Sequence, residues 1–331
     1  MVSISCLNGV FRREAVAEAA GEYDEPAHNA KPIVAGRPNT ELRTLNTLSI
    51  MADCITILGG RGMLGSDLAP VLVQAGYRVR VLDLPEFDLT CADHLARALS
   101  GAQIVVNCAA FTNVDQAEER FDTALAVNGR AVGALGAAAK ERGVFVVHIS
   151  TDFVFDGRQT RPYVETDPPH PINAYGRSKL EGERALQRSA CAHVILRVQW
   201  SYGGHGANFI SKIRERAGAS AELKVVADQV GAPTWTADMA RAIAVLIRDR
   251  REGLYHFANA GYASRFEVAV FLAAQLNLPA KITPCASEAF PTPALRPKNS
   301  WFDTAKIQAI LDAPIRSWQE ALAEFLRTGT G

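Results

Sequence analysis

Tyr175 and Lys179, in Tyr175-Gly-Arg-Ser-Lys179, stand at i and i+4 and so share one face of a helix. A free phenol titrates at about pH 10. A neighbouring ammonium favours the phenolate, so this spacing predicts a tyrosine that exchanges a proton near neutral pH. Upstream, Ser150-Thr151-Asp152 follows the apolar run Val144–Ile149. A hydroxyl at the C-terminal end of a buried parallel strand faces the ligand crevice, where it can hydrogen-bond a carbonyl oxygen. Taken singly, each feature has a plainer explanation: an aromatic beside a solvated lysine, and a turn or cap made by Ser or Thr.

A second constellation holds anions rather than moving protons. Gly59-Gly-Arg-Gly62-Met63-Leu64-Gly65 follows a short apolar run and opens a helical pattern. Glycines there allow a tight turn, let backbone N–H groups approach a pyrophosphate, and pack the helix against its sheet. Asp83 ends the next strand, placed either to bond an adenosine ribose and repel a 2′-phosphate or to serve as a turn residue before Pro85. Asp88-Leu89-Thr90 can flank an adenine or close an Asx turn. Asn107-Cys-Ala109-Ala110 follows the buried run Ile104–Cys108, and its small residues let a cofactor lie against backbone. Asp115, just beyond, reads as a helix N-cap.

These groups need a scaffold, and the chain supplies one by alternation. Strands are expected at Cys54–Leu58, Arg78–Leu82, Ile104–Cys108, Val144–Ile149 and His193–Arg197. Between them lie helical patterns from Leu64 to Ala75, at Ala92–Leu99, over Gln116–Arg142 and at Tyr175–Arg188. This β-α rhythm predicts a doubly wound parallel sheet of the Rossmann type. Further helices are expected at Asn208–Ala217, Ala237–Arg248, Arg265–Asn277, Thr304–Leu311 and Trp318–Arg327, two of them behind capping boxes, Ser264-x-x-Glu267 and Ser317-x-x-Glu320. The division expected is an extension at 1–50, poor in periodicity and read as disordered, then a cofactor domain at 52–200. Part of 222–260 completes its sheet, and 201–221 with 261–331 form a smaller substrate lobe.

Composition narrows the classes. Of 331 residues 48% are hydrophobic, which excludes wholesale disorder, and 35 basic residues balance 35 acidic ones, which gives no support to nucleic-acid binding. No run approaches the roughly 18 apolar residues of a membrane span. Cys6, Cys54, Cys91, Cys108, Cys191 and Cys285 form no C-x-x-C pair, and no histidine pair has metal-ligand spacing. That suits a reducing compartment, the cytoplasm, and no metal centre.

The glycine turn, Asn107–Glu118, Val127-Asn128, Ser150–Gly157, Tyr175–Glu183, Arg197–Gly203, Asp228–Trp235 and Pro291–Thr304 together resemble the extended short-chain dehydrogenase/reductases, and within them the dTDP-4-dehydrorhamnose reductase family. The resemblance runs from about Cys54 to about Leu326. It implies reduction of the 4-keto group of a dTDP-6-deoxy-hexulose with NADPH or NADH. Tyr175 would be the proton donor, Lys179 its cofactor-binding partner, and Thr151 the hydroxyl on the substrate carbonyl. Gly59, Gly62, Met63, Leu64, Gly65, Asp83, Asp88, Leu89, Asn107, Ala109 and Ala110 would hold the cofactor. Thr151, Asp152, Trp200 and Arg296 would meet the substrate, with Arg296 and Lys298 candidates for its diphosphate. The plain alternatives are core packing for Trp200 and solvated loop charges for Arg296 and Lys298. Phe153, Val198-Gln199 and Trp301 depart from the pattern, the last where relatives carry arginine. Some relatives hold Mg2+ through glutamates at a homodimer interface, and Asp67 stands at one such position. Two other readings stay open: a reductase or epimerase of another nucleotide sugar, and a non-catalytic cofactor-binding regulatory subunit like that of methionine adenosyltransferase.

Overall fold

The structure, a computed structural model, describes residues 53–328; the disorder expected of residues 1–50 lies outside the described residues. Its centre is a six-stranded sheet in which every pairing is parallel. Strands β1 (Cys54–Leu58), β2 (Arg78–Leu82), β3 (Ile104–Asn107), β4 (Phe145–Thr151) and β5 (His193–Val198) fall where the apolar runs predict them, to within two residues at each end. In space the order is β2-β1-β3-β4-β5, closed at the far edge by Gly253–Phe257. That edge strand belongs to the 222–260 stretch expected to complete the sheet. Glu222–Val226 instead pairs in parallel with Lys281–Cys285 outside it.

Both faces of the sheet are covered, which is why β3 is apolar on both sides. One face packs Ile55, Ile57, Val106 and Val147 against Leu68 and Leu72 of helix α1 (Met63–Gln74) and against Met239 and Ile243 of the helix Thr236–Arg248. The other packs Val105 and Val146 against Leu95 of helix α2 (Ala92–Leu99), Leu135 of Ala131–Arg142 and Leu186 of Ala174–Ser189. A separate core joins Ile210, Ile213, Leu223, Val268, Leu272, Trp318 and Phe325. It lies among the helices Phe209–Ala219, Arg265–Gln275 and Trp318–Arg327. Both expected capping boxes form. Asn208 makes a third, with Ser211.

One long element differs from expectation. Gln116–Arg142 is not a single helix. It breaks at Arg120, whose φ of −118° and ψ of 44° leave helical space, and widens into a π turn at Ala126–Arg130. The expected N-cap is also absent. Asn113 Oδ1 accepts from Gln116 N at 3.0 Å, while Asp115 turns its carboxylate to Arg296 and makes no cap bond. The expected helix Thr304–Leu311 shrinks to Ala305–Gln308.

Candidate active site

β1 leaves the sheet for β2 on one side, and the chain then crosses to β3 on the other. Ligands of open parallel sheets sit at such a reversal, beyond the carboxyl ends of the strands. A cavity of about 1000 Å3 opens there. Gly59, at φ +70°, makes the turn, and a Cβ on it would stand 2.7 Å from the backbone of Ala109. A Cβ on Gly65 would stand 2.4 Å from Gly60 Cα. Only glycine lets turn, helix and the β3 exit come this close. Gly62, Met63, Leu64 and Gly65 line the cavity with the first turn of α1, whose N–H groups have no acceptor within the helix. The residues therefore fit a dinucleotide: a glycine cradle, an N-terminal helix dipole and the small side chains of Ala109 and Ala110.

Asp83 also lines the cavity, but its carboxylate accepts from Arg61 N and Leu84 N, both at 2.8 Å, so it shapes the glycine turn as well as facing the site. Asp88 and Leu89 line the same end, and Asp88 Oδ1 also accepts from Thr90 N at 2.8 Å, the expected Asx turn. Asn107 does not reach the cavity. It is buried, meets His148 Nδ1 at 3.2 Å and accepts from Ala109 N at 3.2 Å, so it holds the loop from behind.

The helix Ala174–Ser189 starts at Asn173, whose Oδ1 accepts from Gly176 N at 2.7 Å and whose Nδ2 donates to Leu295 O at 2.8 Å. Two glycines press it inward: a Cβ on Gly176 would meet Phe153 O at 2.0 Å, and one on Gly182 would meet Asn128 O at 2.0 Å. This contact brings Tyr175 and Lys179 into the cavity wall with Thr151 and Asp152 from the end of β4. Lys179 Nζ donates to Ile149 O at 2.7 Å. Thr151 Oγ1 accepts from Phe153 N at 3.2 Å and donates to Asp152 Oδ1 at 3.0 Å. Asn128, in the π turn, accepts from Phe111 N and donates to Phe111 O and Ser178 Oγ, so it ties the loop after β3 to the tyrosine helix.

Electrostatics revise one expectation. Burial pushes the Tyr175 phenol up to about 12, Asp152 adds to the rise, and the Thr151 hydroxyl opposes it. Lys179 is not among the groups that shift it, and its ammonium is turned to the Ile149 carbonyl. Lys179 itself is pulled down to about 8 by burial, against the attraction of Glu183 and Cys108. Burial raises Asp152 to about 6, held back by Ser300, Thr151 and Arg265. Its Oδ2 has no hydrogen-bond partner. Behind Lys179, buried Glu183 accepts from Arg197 at 2.7 and 2.9 Å and from Ser150 at 2.5 Å.

Trp200 reaches the cavity from a strained backbone at φ 42°. Arg296 reaches it too, but gives both ends of its guanidinium to Asp115, at 2.6 and 2.7 Å. Lys298 does not line it and pairs with Asp228 and Glu288. Arg265, which sequence reasoning passes over as the residue after a cap, lies in the wall with its guanidinium 3.9 Å from the Trp200 ring centre. Asp67 accepts from Thr236 Oγ1 at 2.5 Å, and among the described residues no three His, Cys, Asp or Glu side chains gather as a metal site.

This glycine cradle with a tyrosine, lysine and threonine at the carboxyl ends of the strands has close relatives. The RmlD substrate binding domain matches residues 53–330. A dTDP-4-dehydrorhamnose reductase of Mycolicibacterium smegmatis is 37% identical over 290 residues, 86% of this chain and 88% of its own. A dTDP-4-keto-6-deoxy-D-glucose reductase of Streptomyces niveus is 37% identical over 280 residues, 83% of this chain and 96% of its own. The crystal structure of dTDP-4-dehydrorhamnose reductase from Bacillus anthracis in complex with NADP superposes with a TM-score of 0.81 at 33% identity, covering 84% of this chain and all of that one. With fold, site and sequence in agreement over this length, the chain belongs to the dTDP-4-dehydrorhamnose reductase family.

Proposed function

We propose that this protein reduces the 4-keto group of a dTDP-6-deoxy-hexulose with NADPH or NADH and releases dTDP-L-rhamnose. The observation that carries the reading is the convergence of Tyr175, Thr151 and Lys179 on the cavity that the glycine cradle opens. The reduced nicotinamide, when bound, supplies the hydride. Gly59, Gly62, Met63, Leu64 and Gly65 would hold the pyrophosphate, with Asp83 toward the adenosine ribose, Asp88 and Leu89 toward the adenine, and Ala109 and Ala110 against the cofactor's length. Lys179 would bind the nicotinamide ribose through its ammonium.

Tyr175 stays a neutral phenol at ordinary pH and so has a proton on Oη to give to the oxygen that gains charge as the carbonyl is reduced. Thr151 turns its O–H from Asp152 to that oxygen and polarises it. Trp200, Asp152 and Arg296 form the substrate side. In this reading residues 52–200 with Gly253–Phe257 are the cofactor domain, 201–221 and 261–331 are the substrate lobe, and the protein works in the cytoplasm, with its five described cysteines free.

The complete Thr151–Tyr175–Lys179 set argues for an enzyme over a regulatory subunit. The experiment is cofactor oxidation with dTDP-4-dehydro-L-rhamnose and identification of the product. Formation of dTDP-L-rhamnose is expected. Turnover only with other nucleotide sugars, or none with any, refutes it.

A further inference from the structure

The cavity holds a cation without an anion. The Arg265 guanidinium lies 3.9 Å from the ring centre of Trp200 and 4.8 Å from that of Phe209, so two aromatic faces hold it. Gly231 backs the arrangement, since a Cβ there would stand 2.7 Å from Trp200 Cε2. Trp200 keeps its place at the cost of a left-handed backbone, the kind of strain that clusters at ligand sites. Among the described residues no carboxylate pairs with Arg265 and no acceptor takes a hydrogen bond from its side chain. Desolvation pulls its pKa down to about 10; Asp152 opposes the fall and Arg296 adds to it, both without a hydrogen bond. Stacking occupies the faces of a guanidinium and leaves its in-plane N–H groups free.

The other guanidinium of the cavity is in the opposite state. Arg296 donates to both oxygens of Asp115 and to Ala294 O at 2.6 Å. These bonds take three of its five N–H groups, and the Asp115 carboxylate offsets its charge, so an incoming phosphate would meet a cation already paired with an anion. Lys212 and His205 line the same cavity.

Resting on the nucleotide-sugar reading above, we infer that Arg265, rather than Arg296, grips the substrate's diphosphate. Its N–H edge donates to phosphate oxygens, and the Trp200 and Phe209 rings fix its plane before the substrate arrives. The test is calorimetric binding of dTDP, thymidine, inorganic pyrophosphate and NADP+ to the wild type, R265K and R265Q. In R265Q, dTDP and pyrophosphate should bind about 10–100-fold more weakly, with thymidine and NADP+ unchanged. R265K should fall between, because lysine keeps the charge and loses the planar fork. Equal dTDP affinity in wild type and R265Q overturns the assignment and leaves the reductase reading standing. Arg265-dependent binding of another nucleoside diphosphate, with dTDP ignored, keeps the assignment and overturns the dTDP substrate. A parallel loss of NADP+ affinity also overturns it, because a grip at this end does not touch the cofactor.

Discussion

In the proposed reduction Tyr175 is an acid kept protonated by its surroundings. Tyr175→Phe removes the proton and little volume, so kcat should fall about 10²–10⁴-fold while NADPH affinity and melting temperature hold; near-native turnover by the folded variant would refute the role. Lys179 sets a limit on the alkaline side. Its folded pKa, about 8, lies below the ordinary value of 10.5, so the ammonium is present below that pH and lost above it. The kcat/KM for the cofactor should therefore decline above about pH 8, and a profile flat to pH 10 would contradict this. Asp152 works in the other direction. Its pKa rises from 3.8 to about 6, so its favourable contribution to folding is complete below the lower value and disappears as pH rises through the upper one. Asp152→Asn should then stabilise the fold at pH 7.5, by up to about 3 kcal/mol, and add nothing near pH 3.5. Denaturant titrations at the two pH values decide it. Cys108 also lines the cavity, but burial pushes its thiol up to about 12, so it is inert packing rather than a nucleophile.

At the scale of elements, the proposed cofactor end depends on closeness rather than on side chains. Gly65→Ala places a Cβ 2.4 Å from Gly60, which forces the glycine turn away from α1. Overpacking of this kind costs about 1–3 kcal/mol. NADPH affinity should drop at least about tenfold, measured by fluorescence titration, and unchanged affinity would show that the turn adapts. The same elements show what a sequence can reveal. β1, β2, α2 and Trp318–Arg327 are legible because alternation, helical period and caps are local signals. Tyr175, Lys179 and Thr151 are legible because each is fixed by its own helix or strand end. The π turn at Ala126–Arg130 is hidden, since an alanine-rich stretch carries no sharp period to show one extra residue per turn. The Asp115–Arg296 pair spans 181 residues and Arg265 meets Trp200 from another element, so neither leaves a mark in local spacing.

Across the whole molecule, the family match begins at residue 53 and every residue lining the cavity lies beyond it. Removing residues 1–50 should leave turnover and melting temperature almost unchanged; a large loss of either would give those residues a part in the fold. The strand order has a consequence for how the chain is made. β5 is complete at Val198, but its neighbour, Gly253–Phe257, comes only after the helices Phe209–Ala219 and Thr236–Arg248. While a ribosome is adding those intervening residues, β5 stands with one row of N–H and C=O groups unpaired, an invitation to a strand of another nascent chain. An unfinished chain is thus open to edge pairing at β5 throughout this interval, and a chain cut short before Gly253 would keep β5 as an open edge in place of a covered strand.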